Sequence, residues 1–277
     1  MSRVSVLAFV VSVGFAAPVL AQSGARFQWQ ANQTLRFHVE QTTTVREFAD
    51  GQQTDTLTKM SLVKSWRVLE VDAGGVATIQ LSLASLRLET RAPDGASSIF
   101  DSAKPDPMQP ELNKEMSQYI DKPIATMRID GKGNVVEVKE SKFGPGSRYL
   151  SDLPFKMTLP EMGLQAGQTW ERAYKTKLEP PHGAGETFDS LQKYTCHQTE
   201  KGMAVVTMTT TIQGQPESAA DRIPLLPMQL EGTLYFDVNA GRYRGARLKL
   251  ERTFENHRGD GSKYIFSTTF TEAAIDN

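Results

Sequence analysis

The side chains of this 277-residue sequence whose type and setting first suggest acid–base or nucleophilic chemistry are few: Ser147 behind two glycines, the lone Cys196, and the four histidines His38, His182, His197 and His257. Hydrolysis by such groups needs a nucleophile, a base and an orienting group within reach of one another. Ser147 follows Gly144-Pro145-Gly146 but lacks the Gly-x-Ser-x-Gly elbow that exposes a nucleophile at a strand-to-helix turn, so it reads as a loop serine. The histidines are scattered, with no pair at metal-ligand spacing and no His-Glu-x-x-His. Cys196 and His197 are adjacent in a segment that reads as a strand. Neighbouring side chains there point to opposite faces, which prevents a thiolate–imidazole pair. His182, in Pro180-Pro181-His182-Gly183-Ala184-Gly185, is the weak catalytic candidate. It is the base that a hydrolase of an envelope or extracellular polymer would use, against the plainer reading of a solvated loop histidine.

Two short strings resolve into turns. Asp130-Gly131-Lys132-Gly133-Asn134 lacks the further acidic ligands and terminal glutamate of a calcium loop and reads as a hairpin turn. Arg258-Gly259-Asp260 followed by Gly261 is good turn chemistry. A single cysteine excludes multi-cysteine metal sites as well as an internal disulfide framework, and the expectation is no metal and no cofactor.

Charge narrows the partners. Lys plus Arg total 31 against 32 for Asp plus Glu, so a net charge of −1 provides no field for nucleic acid. Arg242, Arg244, Arg247, Lys249 and Arg252 are divided by alternation between both faces of one strand, which breaks any phosphate track.

The N-terminus reads as a secretory signal peptide over residues 1–21: Arg3, an apolar run from Val6 to Ala17, Pro18, then Val19-Leu20-Ala21 before a cut at Gln22. The run is too short to span a bilayer, so the cleaved chain is expected to be periplasmic or secreted with no transmembrane span. In that oxidising setting Cys196 reads as a small buried residue, an intermolecular disulfide being the alternative.

The elements that would position any site are strands. From Thr34, Leu35, Phe37 and Val39 alternate with Arg36, His38 and Glu40, the pattern of a half-buried antiparallel strand. Turns at Asp50-Gly51 and Asp72 to Gly75 continue a meander, and the apolar phase shift from Leu83 to Leu86 requires a bulge near Ala84. After three prolines, Leu112, Met116, Tyr119 and Ile120 have helical spacing and predict one short helix near 110–120, its stripe packed on the sheet. Ser141 to Gln165 has no sustained period and reads as a connector, after which strands resume. The fold class is therefore all-β and mainly antiparallel, with curved sheets or a half-barrel.

Two pseudo-repeated meanders are expected, an N-terminal half over 22–145 with a helical insertion and a C-terminal half over 146–277. Ala31-Asn32-Gln33-Thr34-Leu35 recurs as Ala166-Gly167-Gln168-Thr169-Trp170, Trp66 to Gly74 echoes Tyr194 to Gly202, and the Asp130 hairpin echoes that at Asp237.

Two irregular segments are unusually apolar: Phe155, Met157, Leu159 and Met162 in the connector, and Ile223, Leu225, Leu226 and Met228 between prolines. Such segments must be covered, and methionine suits surfaces that re-pack around varied apolar ligands. They either plug the open end of a curved sheet as permanent core or form a lid over an apolar groove. In the second case Phe155, Met157, Leu159, Met162, Leu225, Leu226 and Met228 are the ligand-binding residues.

Leu159-Pro160, Gly167-Gln168-Thr169-Trp170, and Gly232 to Phe254 with its Asp237-x-x-x-Gly241 hairpin resemble a family of exported bacterial proteins known as a domain of unknown function. That resemblance implies export and a β-rich unit, and brings no catalytic residues. The curved meander with a short helix is also similar, at the level of fold, to periplasmic lipoprotein carriers of the unclosed-barrel type. Pattern and missing chemistry together lead to the expectation of a non-enzymatic exported binding or scaffold protein, whose partner is an apolar small molecule, a lipid or another envelope protein.

Overall fold

A computed structural model describes residues 24–180 and 183–276. The expected signal peptide and His182 lie outside the described residues.

The strands form where side chains alternate. In β1 (Thr34–Ala49) Phe37 and Val39 are buried while Arg36, His38 and Glu40 are exposed. Asp50 and Gly51, both at positive φ, make the two-residue turn into β2 (Gln52–Val71), because paired positive φ values match the right-handed twist of the flanking strands. At the next turn the Asp72 carboxylate accepts from the Gly74 and Val76 amides at 2.9 and 3.0 Å, and β3 (Ala77–Arg91) follows. Val63 faces Ser85 and Lys64 faces Leu83, so Ala84 is the extra residue of the bulge that the phase shift requires. The short β4 (Ser97–Asp101) folds back on β3.

Helix α1 (Pro110–Ser117) is shorter than its apolar spacing predicts and has no buried residue. Leu112 and Met116 are half-buried, whereas Tyr119 and Ile120 lie beyond the helix. Ile120 bridges to Leu83, and the Tyr119 ring sits 4.3 Å from that of Phe143. The stripe rests at the rim of the sheet and adds nothing to the core.

The chain continues through β5 (Ala125–Ile129) and β6 (Val135–Ser141), a connector holding α2 (Arg148–Ser151), β7 (Thr169–Lys177), β8 (Thr187–Glu200) and β9 (Met203–Ile212). It then passes through α3 (Ala219–Arg222), a 3-10 helix over Ile223–Met228, β10 (Glu231–Asp237), β11 (Arg242–Glu255) and β12 (Lys263–Ile275).

These strands form one antiparallel sheet in the order β6-β5-β3-β2-β1-β12-β11-β10-β9-β8-β7, with β4 on β3. The two halves are joined where β1 pairs with β12, from Arg36 opposite Ile275 to Phe48 opposite Lys263. The sheet is not closed, and it curls into a half-barrel. A single apolar cluster contains Ile79 and Met127 from one wing together with Tyr194 and Val206 from the other, contacts that a flat sheet of this width could not make.

The two meanders begin with the same backbone device. The Asn32 amide donates to Val68 O at 2.8 Å, and the Val68 amide donates to Gln33 O at 2.8 Å. In the second half the Gly167 amide donates to Cys196 O at 2.7 Å, and the Cys196 amide to Gln168 O at 2.9 Å. Asn32 and Gly167 both have positive φ, which Asn and Gly tolerate best. Leu35 then lies opposite Trp66 and Trp170 opposite Tyr194, each pair directing an aromatic ring into the core.

Candidate functional site

Two irregular segments cover the concave face of the half-barrel. The first is residues 24–30, in which Ala25 and Phe27 are buried; the Phe27 amide donates to Gly131 O at 2.7 Å and the Gln28 amide to Gly241 O at 2.9 Å. This segment therefore bridges the β5–β6 and β10–β11 hairpins across the mouth of the curl. The second is the connector, where α2 lies against both sheet edges, β6 and β7, and spans the open seam between them. Arg172 of β7 anchors α2 by donating to the carbonyls of Leu150 and Ser151 and, at 2.7 Å, to Gln192 Oε1. Burial pulls the Arg172 guanidinium below its usual value, against the opposing pull of Tyr194, Tyr174 and Asp152.

Beyond α2 the connector turns at Leu153–Lys156, with Lys156 at positive φ, and drives Phe155 into the interior. Phe155 is 1% exposed. Its ring centroid lies 5.5 Å from Phe27 and Trp29, 5.8 Å from Trp66, and 6.0 Å from Phe37 and Tyr243. The interplanar angles of 39 to 62° are the tilted arrangements in which ring edges meet ring faces favourably. An irregular segment thus supplies the guest, and strands β1, β2 and β11 with the N-terminal segment supply the cage.

Charge sits beside this cage. Lys64 faces inward from β2, pairs with the buried Glu272 of β12, and donates to Pro154 O at 3.3 Å. Tyr243 donates to the other Glu272 oxygen at 2.9 Å, and burial together with the Glu272 charge pushes its phenol well above the usual value. On the connector, Lys156 pairs with Asp152 and lies 5.2 Å from the Phe270 ring centroid. Among the described residues, Trp66 Nε1 and Trp29 Nε1 are buried without an acceptor.

Of the apolar residues singled out in the sequence, Phe155, Met157 and Leu159 join the main core, at 1, 0 and 3% exposure. Leu225 packs with Leu178 and Ile212, with Met228 against that group, and Leu226 packs with Leu250 and Phe266. Met162 stands apart at 78% exposure. The two segments therefore cover different regions of the sheet.

Among the described residues the reactive side chains do not converge. His38 is exposed beside Ser61, and His197 beside Thr207. His257 is buried at the β11–β12 hairpin with Nε2 2.8 Å from Glu47, and Arg258 bonds the same carboxylate at 3.1 Å. Cys196 is a buried free thiol whose value burial raises, so it is held as the unreactive thiol. Ser147 lines a hollow of about 620 Å³ with Val138, Ser141, Gly146 and Leu150, and no histidine lines that hollow. Among the described residues no group of three or more His, Cys, Asp or Glu is placed to hold a metal ion, and no helix is long and apolar enough to cross a membrane.

Lys64, Glu272 and Tyr243 escaped the sequence reading. For Lys64 and Glu272 the signal was present as a charged residue in the inward phase of otherwise apolar alternation: Leu62-x-Lys64-x-Trp66 and Phe270-x-Glu272-x-Ala274.

Fold and site together define a half-barrel filled by its own connector. No family model and no curated protein matches the chain. Among solved structures it is similar to DynF from the dynemicin biosynthesis pathway of Micromonospora chersina, at 9% identity and a TM-score of 0.23, over 98% of this chain and 92% of that one. It is also similar to a DUF1329 family protein from Desulfovibrio piger, at 9% identity and a TM-score of 0.18, over 86% and 85% of the two chains. Structural similarity and identity this low transfer no function.

Proposed function

We propose that the protein is an exported, non-enzymatic binding protein whose half-barrel holds an apolar small molecule or a lipid chain, with residues 148–164 as its lid. The seating of Phe155 carries this reading. An aromatic guest on an irregular segment occupies a cage built by the sheet, and its segment is tied mainly by side chains, with the Leu159 amide to Lys132 O as a main-chain link. Side-chain contacts of that kind can be exchanged for a ligand that makes the same contacts. Without a cover the concave face would be a large exposed apolar patch, which accounts for the connector being seated in it when no ligand is bound. Phe155, Met157 and Leu159 would leave with the lid. Leu225, Leu226 and Met228 would bound the far end of the chamber, and Met162 would face an envelope partner or the incoming ligand. The leader supports delivery to the periplasm or the medium, where carriers of apolar molecules through water are needed.

The test is to express the chain with its leader, purify it from the exported fraction, and examine it by N-terminal sequencing and native mass spectrometry. The expected product begins at Gln22 and retains, or takes up from lipid vesicles or decanoate, an apolar adduct. A chain that carries no adduct and takes none up would overturn the reading.

A further inference from the structure

We infer that the guest for which the cage is built is an aromatic ring bearing oxygen acceptors, an aryl carboxylate being the simplest member, and that Phe155 stands in for it. The inference rests on the binding reading above and names its ligand class.

Three observations carry it. The walls around Phe155 are the rings of Phe27, Trp29, Phe37, Trp66 and Tyr243, at tilts that attract a ring beyond what area burial supplies, an attraction that a saturated chain would forgo. Next to the ring, Lys64 Nζ already grips an oxygen, the carbonyl of Pro154 one residue before Phe155. A carboxylate beside a ligand ring would take that oxygen's place, exchanging an ammonium–carbonyl bond for an ammonium–carboxylate bond in which both partners are charged. Finally, the walls carry more donors than the plug can satisfy. The Trp66 side chain is buried with its Nε1–H unpaired among the described residues, Trp29 Nε1 is likewise buried and unpaired, and a phenylalanine ring has no acceptor to offer.

Lys64 is paired with Glu272 and Lys156 with Asp152, so lifting the connector removes Lys156 and Asp152 together and leaves Lys64, held by Glu272, at the cage.

The experiment titrates the full mature protein with 2-naphthoate, its neutral isostere 2-methylnaphthalene, and decanoate, read by tryptophan fluorescence and calorimetry. The expected result is that 2-naphthoate binds at least about tenfold more tightly than 2-methylnaphthalene, and that Lys64→Met erases this preference. Trp66→Phe, which keeps the ring and deletes the N–H, is the second variant and is expected to weaken naphthoate alone. Decanoate binding without naphthoate binding, or equal binding of naphthoate and its isostere, would overturn the inference while leaving the binding reading intact. If none of the three binds and lipid uptake also fails, both fall.

Discussion

The indole Nε1 of Trp170 donates to the carbonyl of Thr158 at 2.8 Å, so edge strand β7 holds the segment that fills the half-barrel. The same ring stacks on Tyr194, 5.3 Å away at 14°. Trp170→Phe keeps the stack and deletes the bond, and is expected to cost about 1 kcal/mol. Protease cleavage within residues 148–164 should accelerate while the strands stay protected. Limited proteolysis with mass analysis of the fragments checks this.

Glu272 has a fully buried side chain, and its charge is balanced by Lys64. Glu272→Gln leaves the ammonium buried without a counter-charge and is expected to cost roughly 3–5 kcal/mol, the usual cost of breaking one side of a buried pair. The combined Lys64→Met, Glu272→Leu and Tyr243→Phe replacement removes every member of the network and should recover most of that loss. Denaturant unfolding of the two variants beside the parent measures the difference.

The connector should loosen at both extremes of pH. Partial desolvation would raise the Asp152 carboxyl, but the charge and hydrogen bond of Lys156, with Lys64 and Arg172, outweigh it and hold the group below its ordinary value. Burial lowers Lys156, and the attraction of Asp152 outweighs that and raises it. The depressed carboxyl contributes stability above its unfolded value near about 4 and loses it as pH falls through the folded value. The raised amine contributes below its unfolded value near about 10 and loses it as pH rises through the folded one. Asp152 is 72% exposed, so the pair is worth at most about 1 kcal/mol. Asp152→Asn should lower Tm by a few degrees at most at neutral pH, and by nothing once the parent's carboxyl is protonated. Paired thermal melts across pH provide the comparison.

Asn32 and Gly167 open the two meanders at φ of +65° and +81°. Gly167→Ala forces a Cβ into the left-handed region and is expected to cost about 1 kcal/mol or slightly more. Asn32→Gly should be close to neutral, because Asn already tolerates that conformation. Equal losses at both positions in thermal unfolding would contradict a shared backbone device.

Much of the fold was legible in the residues. Alternation placed β1 and its exposed face, Asp50-Gly51 marked the first hairpin, and the phase slip at Ala84 located a bulge that the register confirms. The echo between Ala31–Leu35 and Ala166–Trp170 anticipated matched hydrogen bonds to Val68 and Cys196. The helical spacing of Leu112 to Ile120 overstated α1, because a period of 3.6 records what a helix would present and not whether a sheet lies beneath it. The apolar character of Phe155, Met157 and Leu159 was plain, but the cage around Phe155 was not, since its rings come from positions 27, 29, 37, 66 and 243.

The amino-acid order alone determined which stretches are extended, where the chain turns and which face of each strand is apolar, because those properties follow from sterics and solvation over a few neighbouring residues. Tertiary structure decided that β1 lies beside β12, that the connector turns inward, and that Lys64 meets Glu272. Those outcomes depend on which distant surfaces exclude water together, and a residue's near neighbours in the chain carry no record of that.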